Sequence, residues 1–176
     1  MFRLATFLII VLAAAPVAAL DLFGVALESA GGDELRRAVA EAGMVPIREG
    51  GEDAWFDIYD SAAVLDGSTR FYLGVVKQDQ RFAFAEYEFR GLNPKPILRR
   101  LITKYGAADE IRAGRYLSDR GYRWRRDGID IELVSDWQNY RFRLSYVDAR
   151  NLADLQAEKA SFAAQQQAGT GQLSLY

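Results

Sequence analysis

Residues 121–147 constrain this chain most, because they alternate apolar and charged side chains across a two-residue turn. Tyr122, Trp124, Ile129, Ile131, Leu133, Tyr140, Phe142, Leu144 and Tyr146 fall on one strand face. Arg123, Arg125, Asp130, Glu132, Arg141, Arg143 and Ser145 fall on the other. A period of two belongs to strands with one buried face, so a helix is excluded. Asp127-Gly128 is a strong hairpin turn. It predicts a register with Arg125 opposite Asp130, Trp124 opposite Ile131 and Arg123 opposite Glu132. An even-length loop near Asp136–Asn139 would carry the same facing into the next strand. It would set Glu132 beside Arg143 and Leu133 beside Phe142.

The same grammar extends backwards. Leu22–Leu27 has strand length. Strand-like runs at Met44–Arg48, Ala54–Tyr59, Phe71–Lys77 and Arg81–Phe89 are rich in aromatic and β-branched residues. Further strands are expected near 112–118, 121–126, 129–134 and 139–147. Two stretches switch to helical spacing. Leu35, Ala38, Val39 and Ala42 form one apolar stripe, with Asp33 and Glu34 in the first turn and Gly43 at the end. Ile97, Leu98, Leu101, Ile102 and Tyr105 form another, entered at Asn93-Pro94 and closed by Gly106. The two helices align without a gap at an offset of 63 residues. Each precedes about four strand signals. The expected fold is α+β: a tandem helix plus four-stranded antiparallel meander, giving a sheet of about eight strands with the helices on one face. The halves are placed at about 20–90 and 91–148. A third helix is expected over 149–167, with Asp148 as N-cap, followed by a disordered tail at 168–176.

The first nineteen residues have a different character. Met1-Phe2-Arg3 leads an apolar run, and Val17 and Ala19 stand at the −3 and −1 positions of a signal-peptidase site. Cleavage near Ala19 would export the chain to the periplasm or beyond. The mature chain would then carry −3 over 157 residues. With no cysteine, it neither depends on disulfides nor carries a lipid anchor at the junction.

Composition narrows the chemistry. The chain has no Cys and no His, which removes thiol nucleophiles, Ser-His-Asp triads, imidazole acid/base work and the usual zinc sites. A net charge of −2 argues against nucleic acid as a partner. Glu86 and Glu88 share a strand face, as a solvated strand would have them. Asp127-Gly128-Ile129-Asp130 lacks the spacing of a calcium loop. No enzyme, cofactor or metal site is expected.

Two binding surfaces are expected instead. If Phe56 is core, Trp55 and Tyr59 point outward with Tyr72, and such an aromatic cluster would contact an envelope protein or peptide. Arg123, Arg125, Arg141 and Arg143 would form the alternative, a face for an anion, a lipid headgroup or an acidic glycan. A membrane surface is the lesser expectation. In element order the chain resembles tandem helix-plus-sheet proteins such as the β-lactamase inhibitory protein, and more loosely the small outer-membrane assembly modules. Lys104-Tyr105-Gly106 at the end of the second helix resembles a pattern of uncharacterised small bacterial exported proteins. These resemblances imply a non-catalytic exported binding or accessory protein.

Overall fold

The computed structural model describes residues 20–50, 54–91, 93–113, 120–136 and 138–173. The expected leader and the last three residues of the expected tail lie outside them, as does most of the strand expected over 112–118. The fold is mixed α+β, with three helices and a large antiparallel sheet.

The chain opens with a small hairpin of β1 (Asp21–Leu22) and β2 (Val25–Ala26). A single strand over Leu22–Leu27 was the expectation. Phe23 and Gly24 turn the chain instead, both at positive φ. Helix α1 (Gly32–Glu41) leads to β3 (Val45–Arg48), β4 (Asp57–Asp60), β5 (Ser68–Val75) and β6 (Phe82–Arg90). Helix α2 (Lys95–Tyr105) leads to β7 (Glu110–Arg112), β8 (Gly121–Arg126), β9 (Ile129–Asp136) and β10 (Arg141–Asp148). One eight-stranded sheet results, in the order β3-β4-β5-β6-β10-β9-β8-β7. Strands following each helix lie side by side in chain order, and the last strand of each set, β6 and β10, pairs at the centre.

One face of this sheet carries the main core. Phe71, Leu73, Tyr87, Phe89, Trp124, Ile131, Leu133, Phe142 and Leu144 meet Leu35 and Val39 of α1 and Ile97 and Leu101 of α2. The ring of Phe89 stacks on Phe142 with centroids 4.5 Å apart, across the β6–β10 junction. Both helices therefore lie on one face, but α2 is rotated from its expected setting. Its buried residues are Ile97 and Leu101, whereas Ile102 is 46% exposed. The buried i, i+4 pairs, Leu35/Val39 and Ile97/Leu101, stand 62 residues apart rather than 63. One residue is about 100° of helix, enough to turn Ile102 outward. Leu101→Ala should cost about 2–5 kcal/mol in chemical denaturation, because burial is lost and a cavity remains. Ile102→Ala should cost about 0.5 kcal/mol or less.

The third helix, α3 (Ala149–Leu173), lies on the opposite face. It also runs beyond the expected end at 167 into the stretch expected as a tail, through Gly169, Thr170 and Gly171, against their weak helix propensity. Asp148 caps it as expected, its Oδ1 accepting the N–H groups of Arg150 at 2.9 Å and Asn151 at 3.1 Å. Leu155 packs on Val76 and Ala83, and Phe162 meets Trp55 edge-on. Glu158 accepts the backbone N–H groups of Lys77 and Gln78, and Arg81 pairs with Asp154. A β-bulge prepares this seat. Gly74 opposes Phe84 while the next residue, Val75, opposes Phe82, so Ala83 is extra and the facing flips. A Cβ at Gly74 would lie 2.1 Å from the Phe84 ring, so glycine is what lets that ring lie flat on β5. No helix among the described residues is long and apolar enough to cross a membrane.

Candidate functional site

The face shared with α3 is covered only at one end. Beyond α3, strands β7–β10 present charged side chains, as the alternation in 121–147 predicts. The β8–β9 turn has Asp127 at φ 49° and Gly128 at φ 79°, the paired positive values that a two-residue primed turn requires. Its register is the expected one: Arg125 opposes Asp130, Trp124 opposes Ile131, and Arg123 opposes Glu132.

The next strand sits two residues away from expectation. Glu132 opposes Ser145, and Leu133 opposes Leu144. The β9–β10 loop holds four residues, with Tyr140 at φ 52° and 68% exposed, rather than two. A slip of two preserves facing but changes partners. Arg143 therefore does not reach Glu132. Its guanidinium lies 3.6 Å from Glu86, and Arg141 lies 2.7 Å from Glu88, both acids on β6.

The four arginines thus share one face, and each has a carboxylate. Arg123 donates from Nε to Glu132 at 2.6 Å and lies 3.6 Å from Glu110. Arg125 donates to Asp130 at 2.8 Å while 67% of its side chain remains exposed. Arg112 on the edge strand joins Glu110 at 2.9 Å. The hydrogen bond to Arg112 holds the Glu110 carboxyl below its ordinary range. Those to Asp130 and Glu88 push Arg125 and Arg141 up. Such a ladder is internally neutralised, and its donors and acceptors occupy one another.

Glu86 behaves differently. Burial is the largest influence on it and pushes its carboxyl up, despite Arg143. An acid with a raised folded value adds stability below its unfolded value and loses that contribution as pH rises through the folded one. Glu86→Gln should therefore leave the denaturation midpoint at pH 7 unchanged or raised. Glu132→Gln should lower stability by up to about 1 kcal/mol, since it breaks a partly exposed pair. The two variants, measured side by side by urea denaturation, check the ladder's internal division.

The expected aromatic cluster does not assemble. Tyr59 is 1% exposed and lies in the main core beside Phe71, its hydroxyl donating to Glu49 at 2.6 Å. Trp55 is half-buried beneath Phe162, with the Lys77 ammonium 4.4 Å from its ring centroid. Tyr72 is half-buried against Phe56 on the α3 side. The phase of β4 explains the reversal. Asp57 turns inward to meet Arg36 at 2.8 Å, which sends Asp57 and Tyr59 to the core face and Phe56 and Ile58 to the other. A cleft of about 620 Å³ beside this pair is lined by Trp55, Phe56, Lys77 and Gln80. Its half-buried cation is already engaged, since Arg36 also donates to Asp33 and Gln80 at 3.1 Å.

Sequence reasoning missed Glu86 and Glu88 as partners of the arginine rows. Their alternation in β6 was visible, but only the pairing of β6 with β10 brings them to Arg141 and Arg143.

No protein-family profile matches the sequence. No curated protein matches it either. Among solved structures, the chain is similar to a DUF4309 family protein, YjgB, from Bacillus subtilis subsp. subtilis str. 168. The TM-score is 0.41 at 15% identity, over 69% of this chain and 81% of that one.

Proposed function

We propose that the chain is a non-catalytic exported binding protein that contacts a protein partner through the sheet face α3 leaves open. One observation carries this reading. Two helices cover one face and a third covers one end of the other, while β7–β10 keep partly exposed rows of alternating cations and acids. Rows of opposite charge reward a partner with the complementary pattern and penalise one out of register. The same pairing weighs against the arginines serving as an anion site, because each carboxylate competes with an incoming anion.

We further infer that the two halves are copies of one unit. The support is the equal order of elements, one helix and four neighbouring strands, with aliphatic i, i+4 pairs at an offset of 62. Export rests on the leader-like residues 1–19 and predicts a mature chain beginning near Leu20 by intact mass. A full-length chain held in the membrane would count against it.

The functional test is cross-linking in an envelope extract with the mature protein and an Arg125→Glu/Arg141→Glu variant. The expected result is a protein cross-linked at β8–β10 and lost in the variant, whose fold is checked by circular dichroism. Equal capture by the variant would overturn the sheet-face reading. Salt-sensitive binding to anionic vesicles or acidic glycans, lost in Arg125→Ala and Arg141→Ala, would replace it with the anion-binding one.

A further inference from the structure

The opposite face holds a different kind of site. Between α2, the β1–β2 hairpin and strands β6 and β10 lies an open-mouthed cavity of about 230 Å³. Its walls are apolar, with Leu22, Phe23, Leu101 and Leu144 among them. Two features do not suit an empty apolar gap. Tyr87 lines it while only 5% exposed, and its hydroxyl has no hydrogen-bond partner among the described residues. Burial alone pushes that hydroxyl's pKa up. A phenol hydroxyl at a cavity wall with no protein acceptor is a donor free to engage a ligand oxygen.

The second feature is the mouth. Arg100 and Lys104 stand one turn apart on α2 and both line the cavity. Lys104 is shared with Asp21 at 3.0 Å, whereas Arg100 has no ion pair among the described residues. Two cations against one acid leave one positive charge at the mouth. Small-molecule sites have this composition: apolar walls with a few placed polar groups.

We propose that this cavity binds a small amphipathic carboxylate, its apolar body against Leu22, Leu101 and Leu144 and its head drawn by Arg100 and Tyr87. A carboxylate supplies what both groups lack, an acceptor for the phenol and a negative charge for the guanidinium. The volume limits the body to roughly seven groups of about 30 Å³ each, the share of a water in the liquid. A medium-length acyl chain fits this limit and a full-length lipid tail does not.

The test is calorimetric titration of the mature protein with octanoate, octan-1-ol and acetate, together with their effect on Tm. Octanoate should bind and raise Tm. Octan-1-ol should bind at least tenfold more weakly, for want of charge, and acetate should not bind, for want of an apolar body. Tyr87→Phe and Arg100→Gln should each weaken octanoate tenfold or more. Tyr87→Phe removes an unpaired hydroxyl, so its Tm without ligand should be equal or higher, which separates lost binding from lost folding. Absence of octanoate binding by the folded protein would overturn the proposal. So would equal affinity for octanoate and octan-1-ol that neither variant changes. The sheet-face reading stands or falls separately, since Arg125→Glu/Arg141→Glu should leave octanoate binding intact.

Discussion

Asp57→Ala should cost the fold about 3 kcal/mol or more, towards the lower end of the 3–5 kcal/mol typical when one partner of a buried ion pair is removed. The carboxylate is 3% exposed. Its Oδ2 accepts from Arg36 Nε at 2.8 Å, and its Oδ1 accepts the Gly50 N–H at 2.8 Å. Three segments meet there: α1 through Arg36, the loop after β3 through Gly50, and β4 itself. Removing the carboxylate strands a guanidinium and a backbone donor together. Arg36 keeps Asp33 and Gln80, and 23% of its side chain reaches solvent, so the loss should not reach the upper limit. Asp57→Asn should cost less, because an amide oxygen can still accept from Gly50. The check is urea denaturation of both variants. A loss under about 1 kcal/mol for Asp57→Ala would show that the pair does not hold α1 to the sheet.

Trp124→Ala should be as severe, at about 3–5 kcal/mol. The indole is fully buried at 0% exposure, and its Nε1–H donates to the Gly106 carbonyl at 2.9 Å. Trp124 thus fills core volume and also satisfies a carbonyl where the chain leaves α2. The same end is held from outside by Arg126, which donates to the Tyr105 carbonyl at 2.8 Å and to Asp109 at 2.7 Å. That is the favourable place for a cation, at a helix C-terminus. Trp124→Phe should recover much of the burial but not the hydrogen bond, leaving a deficit of about 1–2 kcal/mol. Thermal and urea unfolding followed by circular dichroism would rank the two. Equal losses would mean that the hydrogen bond, not the volume, dominates.

Local rules made the β8–β9 hairpin readable without coordinates. A turn of two residues leaves no freedom in register once the buried parity is known, so Arg123–Glu132 and Arg125–Asp130 followed from residues 121–134 alone. The cap at Asp148 and the apolar i, i+4 spacing of both early helices are local in the same sense. The next turn already fails this condition. Loops of two and four residues between β9 and β10 preserve the same parity, and the hydrophobic pattern cannot distinguish them. The partner of Arg143 therefore could not be read, although its facing could. Ile102 failed for a related reason: five apolar residues span more of α2 than the sheet can cover, and the docking angle selects among them.

Alternation in residues 121–147, the absent Cys and His, and helix spacing are properties of neighbours in the chain, and by themselves they determined an antiparallel α+β protein with an arginine-bearing strand face. Tertiary structure alone decided that β6 meets β10, which delivers Glu86 and Glu88 to Arg143 and Arg141. It also decided that α3 takes the opposite face and that Asp57 carries Tyr59 into the core with it. The physical reason is range. A turn or a helix stripe is set by residues a few positions apart, whereas Arg36 and Asp57, or Glu88 and Arg141, lie 21 and 53 residues apart in the chain. Their meeting is selected by the burial and pairing energy of the whole sheet.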